Sequence, residues 1–161
     1  MSLIGILRWT VELGQVDLTR EVSMMASFMV MPREGHLDQL YHMFGYLKSK
    51  HNAEMVFDPT VPDIDKLQFP RQEWGHTPYA GMKEQLPPNM SKSRGFGFVI
   101  SAYVDSDHAR DYVTRRSRTS FIVFLNNAPI YWLSKKQQSC ETSSYGSEFR
   151  AMKHYSEYIR G

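Results

Sequence analysis

Two acidic side chains, one at the end of a strand-like run and one on a helix-like run, could together bind a hard cation. Asp105 closes the alternating apolar stretch GFGFVISAYVD, which covers residues 95–105. Glu148 lies in the amphipathic stretch that follows Ser144. Mg²⁺ prefers oxygen ligands, so two carboxylates that converge from a strand and a packed helix indicate a metal site. An acid at a strand end can equally be a solvated loop residue, and the residue types leave both interpretations open.

The position of Glu148 on its helix favours the first interpretation. At about 100° per residue, it projects on the same side as Phe149, Met152, Tyr155 and Ile159. We therefore expect Glu148 to face the sheet, where an unpaired charge is costly and a bound cation would offset that cost. The alternative is that a carboxylate in the first turn favours the helix dipole and reaches water.

Basic side chains lie on or beside the connections between the predicted strands. Because Lys and Arg neutralise phosphates, they form a candidate nucleic-acid surface, and a solvated edge is the alternative. The net charge of the chain is only +2, so its overall charge does not require a nucleic-acid partner. The candidate residues are Arg115, Arg116, Arg118, Lys135 and Lys136.

The segment that carries these residues, 95–161, predicts three antiparallel strands and a helix. The runs SFIVFL and PIYWLS follow the first strand, and Asn126-Asn127 between them is typical of a tight hairpin. Ser143 or Ser144 is the predicted N-cap of the helix. The predicted fold class is therefore α/β (α+β overall), with a three-stranded antiparallel meander plus a helix.

Residues 1–58 predict a small helical segment ahead of that meander. Its third helix has the clearest period, and its second is predicted to be capped by Asp17 and to stop before Pro32. The run AEMVFD after the third helix predicts a short strand. The apolar face of the third helix is predicted to contain Leu37, Leu40, Tyr41, Phe44 and Leu47.

Between these segments, residues 59–94 have a different composition. They hold six of the eight prolines of the chain and show little periodicity. We interpret them as a linker or a long irregular insertion, which Trp74 and Tyr79 could attach to a neighbouring surface.

Composition is that of an ordinary folded protein. Hydrophobic residues make up 42% and aromatic residues 13%, which is enough to form a core. The apolar stretch at the start of the chain contains Arg8 and Glu12, so it is too polar for the core of a signal peptide. It is also too short to span a membrane. A single cysteine, Cys140, allows no intrachain disulfide.

We therefore expect an intracellular protein, cytoplasmic or nuclear and not secreted. We expect it to bind neither a membrane nor a small-molecule substrate.

The segment 95–161 contains four motifs in a fixed order: YVDSDHARD, RRSRTS, PIYWLSKKQ and SSYGSEFRA. In order and spacing these motifs resemble the ribonuclease H domain that closes the polyprotein of copia-type retrotransposons. Residues 1–58 resemble the thumb-like part that follows the polymerase palm, through GQVDL, PREGH and GYLK. The chain departs from the family at His108, Ser120 and Gly146, where the family has Trp, Gly and an acid.

The resemblance implies hydrolysis of the RNA strand of an RNA–DNA hybrid by a magnesium-dependent enzyme. It makes Asp105 and Glu148 the metal ligands and catalytic acids, with Mg²⁺ as the cofactor. It also implies two partners, the hybrid and the remainder of the polyprotein. Asp107 and Asp111 match family acids that we expect only to solvate the loop.

The family fold continues with a fourth strand that carries a third aspartate and with a later fourth acid, and the polymerase aspartates lie upstream. Since the sequence contains none of these, we expect an internal slice with an incomplete ribonuclease H-like fold and an open edge on its first strand. Two carboxylates hold one Mg²⁺ weakly and do not fix two ions for in-line hydrolysis. We therefore expect the chain to be inactive on its own. One alternative is a remnant that binds nucleic acid or another partner without catalysis. The other is a truncated gene product without a function.

Overall fold

The computed structural model contains four α-helices and one three-stranded sheet in the part of the chain that it describes. The described residues are 2–63, 75–78, 80–81, 87–91 and 97–160. In chain order the elements are α1 (Leu3–Glu12), a 3₁₀ turn (Val16–Leu18), α2 (Thr19–Ala26), α3 (Glu34–Ser49), β1 (Ile100–Asp107), β2 (Arg118–Leu125), β3 (Ala128–Lys136) and α4 (Ser144–Arg160). The mixed α/β class and the antiparallel meander followed by a helix are confirmed.

The sheet has the order β1-β2-β3, and both of its pairings are antiparallel. The predicted two-residue turn joins β2 to β3, and Asn126 adopts a φ of 56°, a conformation that asparagine tolerates better than most residues. The Asn126 amide also donates to the carbonyl of Val99, at 2.7 Å. The hairpin that the sequence predicted is therefore confirmed, and its turn also contacts the start of β1.

Helices cover both faces of the sheet. Phe121 and Val123 of β2 are buried on the face that packs against α4. Because side chains alternate along a strand, Ser120 and Ile122 project to the other face. There Trp132 of β3 packs against α1 and α2 and donates to the Val11 carbonyl. The result is a three-layer arrangement in which the sheet lies between the helical segment (α1 to α3) and α4.

The main hydrophobic core lies within the helical segment. Ser2 caps α1 through a 3.1 Å bond from the Gly5 amide, and the apolar residues that recur along α1 turn inward. Burial of each large apolar side chain contributes about 1.5–3 kcal/mol, so this cluster accounts for much of the stability of the segment. The buried members are Leu7, Val11, Leu18, Val22, Met25, Leu40 and Met43.

Three predictions about the helical segment need correction. Residues 53–58 form no strand; Val56 and Phe57 are exposed, and no strand among the described residues pairs with them. Asp17 caps no helix; its carboxylate accepts a hydrogen bond from the Tyr46 hydroxyl. On α3, Leu37 and Tyr41 are exposed instead of buried.

The predicted linker, 59–94, lies largely outside the described residues, as do Trp74 and Tyr79. Its first residues are described and attach to the β2–β3 turn. Asn126 Nδ2 donates to the Pro59 carbonyl at 2.8 Å, and Asn127 Nδ2 donates to Thr60 Oγ1 at 2.9 Å. The chain therefore leaves the helical segment along the hairpin.

Candidate metal and nucleic-acid site

Asp105 lies near the end of β1 and is exposed. It is the register partner of Ser120, so it shares the sheet face that the helical segment covers. A cleft of about 240 Å³ opens beside it, between the sheet and the 3₁₀ turn. Asp17, Arg20 and Trp132 also line this cleft. Asp105 is thus accessible to a ligand from the face opposite α4.

Glu148 does not face the sheet, and the predicted orientation of α4 is wrong. The residues that α4 buries are Ser147 and Ala151, both fully inaccessible, whereas Glu148 is exposed and Phe149 is 63% exposed. The helix approaches the strands closely, and that approach selects small residues at the contact. Side-chain size, which the hydrophobic pattern does not report, therefore sets the rotation of the helix.

The observed rotation places Glu148 on the exposed flank of α4 opposite Arg150 and Lys153. Arg150 and Lys153 line a cleft together with Lys135 of β3, so they mark the β3 side of α4. Glu148 and Met152 project from the opposite flank, at about 100–140° from Ser147 on the helical wheel. The helix itself packs on β1 and β2, and the outer edge of β1 has no partner strand within the described residues.

The donor set of the two acids fits at most a weakly held ion. Asp105 approaches from one face of the sheet, and Glu148 belongs to the helix on the other face. Within the described ranges, no group of three or more His, Cys, Asp or Glu side chains is placed to hold a metal ion. Two exposed carboxylates can bind one hydrated Mg²⁺, but they do not form the two-ion arrangement that phosphodiester hydrolysis uses.

Asp107 attaches the helical segment to the end of β1 and does not merely solvate a loop. Its carboxylate pairs with the Arg20 guanidinium from α2 and, at 3.4 Å, with Arg110 Nε. The hydrogen bond to Asp107 raises the pKa of Arg20. The expectation of a solvated acid is therefore wrong for Asp107, which makes a contact between residues far apart in sequence.

Asp111 is also paired. It forms an ion pair with Lys136, and its carboxylate accepts hydrogen bonds from the Val113 and Thr114 amides. The Lys136 ammonium, followed by the Thr114 amide, holds the pKa of Asp111 well below its usual range. Asp111 therefore orders the β1–β2 connection and anchors it to β3.

The five basic candidates do not share one surface. Arg118 is partly buried, donates to Ser23 Oγ at 2.6 Å, and has its pKa lowered by burial and by the nearby Arg20 cation. Lys136 is committed to Asp111. Arg115 and Arg116 are exposed on the β1–β2 connection, and Lys135 is exposed on the face that carries α4. Among the five, Arg115, Arg116 and Lys135 are the ones whose side chains make no ion pair within the described part of the chain, which leaves them available to a nucleic acid.

Sequence reasoning missed a buried polar contact at the end of β3. Gln137 is 6% exposed, and its Nε2 donates to Thr119 Oγ1 and to the Ser147 carbonyl, both at 3.0 Å. These bonds join β2, β3 and the start of α4. The signal was present, since Gln137 closes the motif PIYWLSKKQ, but the motif alone did not reveal what the side chain contacts.

Comparison with known proteins yields distant relatives. The chain is 26% identical over 136 residues to the retrovirus-related Pol polyprotein from transposon RE1 of Arabidopsis thaliana, covering 84% of the chain and 7% of that protein. It is 29% identical over 100 residues to the uncharacterized mitochondrial protein AtMg00810 of the same plant, covering 62% of the chain and 38% of the relative. It is 22% identical over 152 residues to secreted RxLR effector protein 161 of Plasmopara viticola, covering 94% of the chain and 82% of the relative.

The chain thus spans less than a tenth of the RE1 polyprotein. No protein-family model and no solved structure matches it. Within the described residues, none of the helices combines the length and apolar character that a membrane crossing needs.

Proposed function

We propose that the chain is a piece of the reverse transcriptase and ribonuclease H region of a copia-type retrotransposon polyprotein. The observation that carries the proposal is the antiparallel meander whose first strand bears Asp105, followed by a helix that bears Glu148. The similarity to a transposon Pol polyprotein, at 26% identity, supports the polyprotein origin. Residues 1–58 are then the thumb-like segment, and residues 95–161 are the first part of the ribonuclease H-like domain.

In this proposal the ancestral reaction is hydrolysis of RNA in an RNA–DNA hybrid, with Mg²⁺ activating the attacking water. Asp105 and Glu148 would each offer one carboxylate to a hydrated ion. Both are exposed, so water competes for the ion and binding is weak. Because the described residues place no third acid beside this pair, the chain by itself should bind Mg²⁺ weakly and cleave no hybrid.

Metal binding and cleavage test the two parts of the proposal separately. Electron paramagnetic resonance of added Mn²⁺, a substitute for Mg²⁺, should show a weak site that Asp105→Asn and Glu148→Gln each remove. The matched control is Asp38→Asn, an exposed acid on α3, which should leave binding unchanged. Equal binding by all four proteins would refute the ligand pair. Mg²⁺-dependent cleavage of a hybrid that disappears in Asp105→Asn would refute the expected inactivity.

The alternative function is nucleic-acid binding without catalysis. The exposed Arg115, Arg116 and Lys135 are the observation that favours it. Salt-dependent binding of a hybrid that survives Asp105→Asn would support this alternative. In either case we propose an intracellular location, and a tagged chain found in the culture medium would contradict it.

A further inference from the structure

The outward side of α4 carries a line of large apolar side chains. At about 100° per residue, this line lies roughly 140° around the helix from Ser147 and Ala151, which are buried against the sheet. Single exposed apolar residues are ordinary, but a line of them on one helix indicates a surface that binds another protein surface. Each member is between 47% and 77% exposed. We call these residues the outer stripe: Tyr145, Phe149, Met152 and Ile159.

The outer stripe has the spacing of a coiled-coil seam. Tyr145, Met152 and Ile159 recur every seven residues, and Phe149 and Ser156 lie between them at the alternate seam positions. The rings of Tyr145 and Phe149 stack, with their centroids 6.5 Å apart. Ser156 Oγ donates to the Met152 carbonyl at 2.9 Å, so its hydroxyl needs no donor or acceptor across the seam. The outer stripe therefore suits a second helix with the same period.

Charges beside the outer stripe identify that second helix as another copy of α4. Glu148 lies on one flank of the seam and Lys153 on the other, five positions later. When two copies of such a helix pair in parallel, each of these flanking residues faces the other across the seam, and symmetry makes the contact twice. An antiparallel pair would instead place Lys153 beside its own copy, and like charges repel. The charges therefore favour a parallel pair.

Neither charge is strongly committed within its own chain. Lys153 contacts Glu157 at 3.6 Å, and both side chains are more than 60% exposed, so this ion pair is worth little and is readily exchanged. Glu148 makes no ion pair among the described residues. A second copy can therefore pair with both side chains without breaking a strong interaction.

We propose that the outer stripe pairs in parallel with that of a second copy and forms a two-fold symmetric dimer. The bulk of each copy lies away from the contact, because α4 packs on β1 and β2 through its other side. The outer stripe and its flanking charges would bury roughly 1,000–1,200 Å² in total, at the lower end of specific interfaces. The dimer is therefore weak, with a Kd on the order of 10–100 µM.

This inference goes beyond the proposed function, because it needs neither a metal ion nor a nucleic acid. Glu148 belongs to both proposals, so the first variant is made at Met152, which the metal site does not use. Dimerisation is measured in EDTA, where loss of the metal site has no effect. A chain that dimerises through the outer stripe but binds no Mn²⁺ would support the dimer and refute the metal ligands.

Sedimentation equilibrium of the whole chain, from about 5 to 500 µM, provides the test. Met152→Glu should weaken the dimer by about tenfold or more, because it places an unpaired carboxylate in the seam. The matched control is Met31→Glu, the same substitution at an exposed methionine outside α4, and it should change the Kd by less than about twofold. A monomer at every concentration, or equal weakening by the two variants, would overturn the proposal.

A charge exchange tests the parallel orientation. Lys153→Glu and Glu148→Lys should each weaken the dimer about three- to tenfold, because each brings like charges together across the seam. The double variant Glu148→Lys/Lys153→Glu should restore the affinity of the parent. If the double variant dimerised no better than the single variants, the proposed pairing would be wrong.

The same measurement separates the outer stripe from the open edge of β1. A parallel pair of helices closes on itself and stops at the dimer, whereas pairing at a strand edge is a different contact. The dimer should therefore persist in Ile100→Lys, which alters that edge. A dimer that is lost in Ile100→Lys but kept in Met152→Glu would belong to the edge of β1 and would overturn the proposal.

Discussion

The indole of Trp132 on β3 donates a 3.1 Å hydrogen bond to the carbonyl of Val11 on α1, across 121 positions of sequence. Nearby, Ser23 of α2 donates to the Ser134 carbonyl and accepts from Arg118. These contacts, together with the Arg20–Asp107 pair, fix the helical segment to one face of the sheet. The two segments that the sequence separates are thus one packed unit around Trp132.

Trp132→Phe should destabilise the protein by about 1–2 kcal/mol. The substitution removes the bond to Val11 and part of a ring that packs on the main core. Urea denaturation monitored by circular dichroism measures the loss. Trp9→Phe is the matched control, because Trp9 is 61% exposed, and it should cost less than about 0.5 kcal/mol. Similar losses in the two variants would mean that Trp132 does not join the segments.

Ala151→Leu should destabilise α4 by about 1–3 kcal/mol, because Ala151 is fully buried and has no room for a larger side chain. Met152→Leu, next in sequence but half exposed, should be nearly neutral. Thermal unfolding of the two variants tests the rotation of the helix. If Met152→Leu were the more damaging change, Glu148 would face the sheet after all.

Asp111→Asn should make stability less sensitive to acid. The pKa of Asp111 lies below its unfolded value, chiefly because of Lys136. The folded state therefore gains stability above about pH 4, and that gain is lost as the pH falls through the folded pKa. The variant should lose about 1 kcal/mol at neutral pH, and its stability should vary less than that of the parent between pH 5 and pH 2. Parallel pH profiles for the parent and the variant would contradict this expectation.

Ile100→Lys should reduce self-association. Ile100 is 51% exposed on β1, an edge strand of the described sheet, and a charge on an edge discourages pairing with another chain. Static light scattering over a range of protein concentrations measures the effect. Val113→Lys adds the same charge to an exposed residue of the β1–β2 connection and should reduce self-association less. If both variants reduced self-association equally, the effect would be due to net charge alone.

The sequence predicted the strands, the hairpin and the start of α4 well, because each of these depends on residues that are close together in sequence. The asparagine pair specified the hairpin, alternation specified the strands, and Ser143 caps α4 through a 3.1 Å bond from the Gly146 amide. The rotation of α4 was not predictable in the same way, since it depends on the small size of Ser147 and Ala151 against the sheet.

The docking contacts could not be read from the sequence either. Arg20 and Asp107 are 87 positions apart, and each looks like an ordinary solvated charge in its local context. The sequence pattern singled out Asp105 and Glu148, the motif resemblance made them metal ligands, and the structure leaves both exposed. Their role as metal ligands remains a proposal.

The Asn126 side chain holds the two ends of the intervening segment at one place. Its Nδ2 binds the Pro59 carbonyl where the chain leaves the helical segment, and its Oδ1 accepts from the Val99 amide where the chain returns to β1. A loop whose ends are already together costs only about 0.6 kcal/mol more for each doubling of its length. Insertions and deletions between these points can therefore accumulate in related chains without moving Asp105, and a foreign domain inserted there should leave the sheet intact.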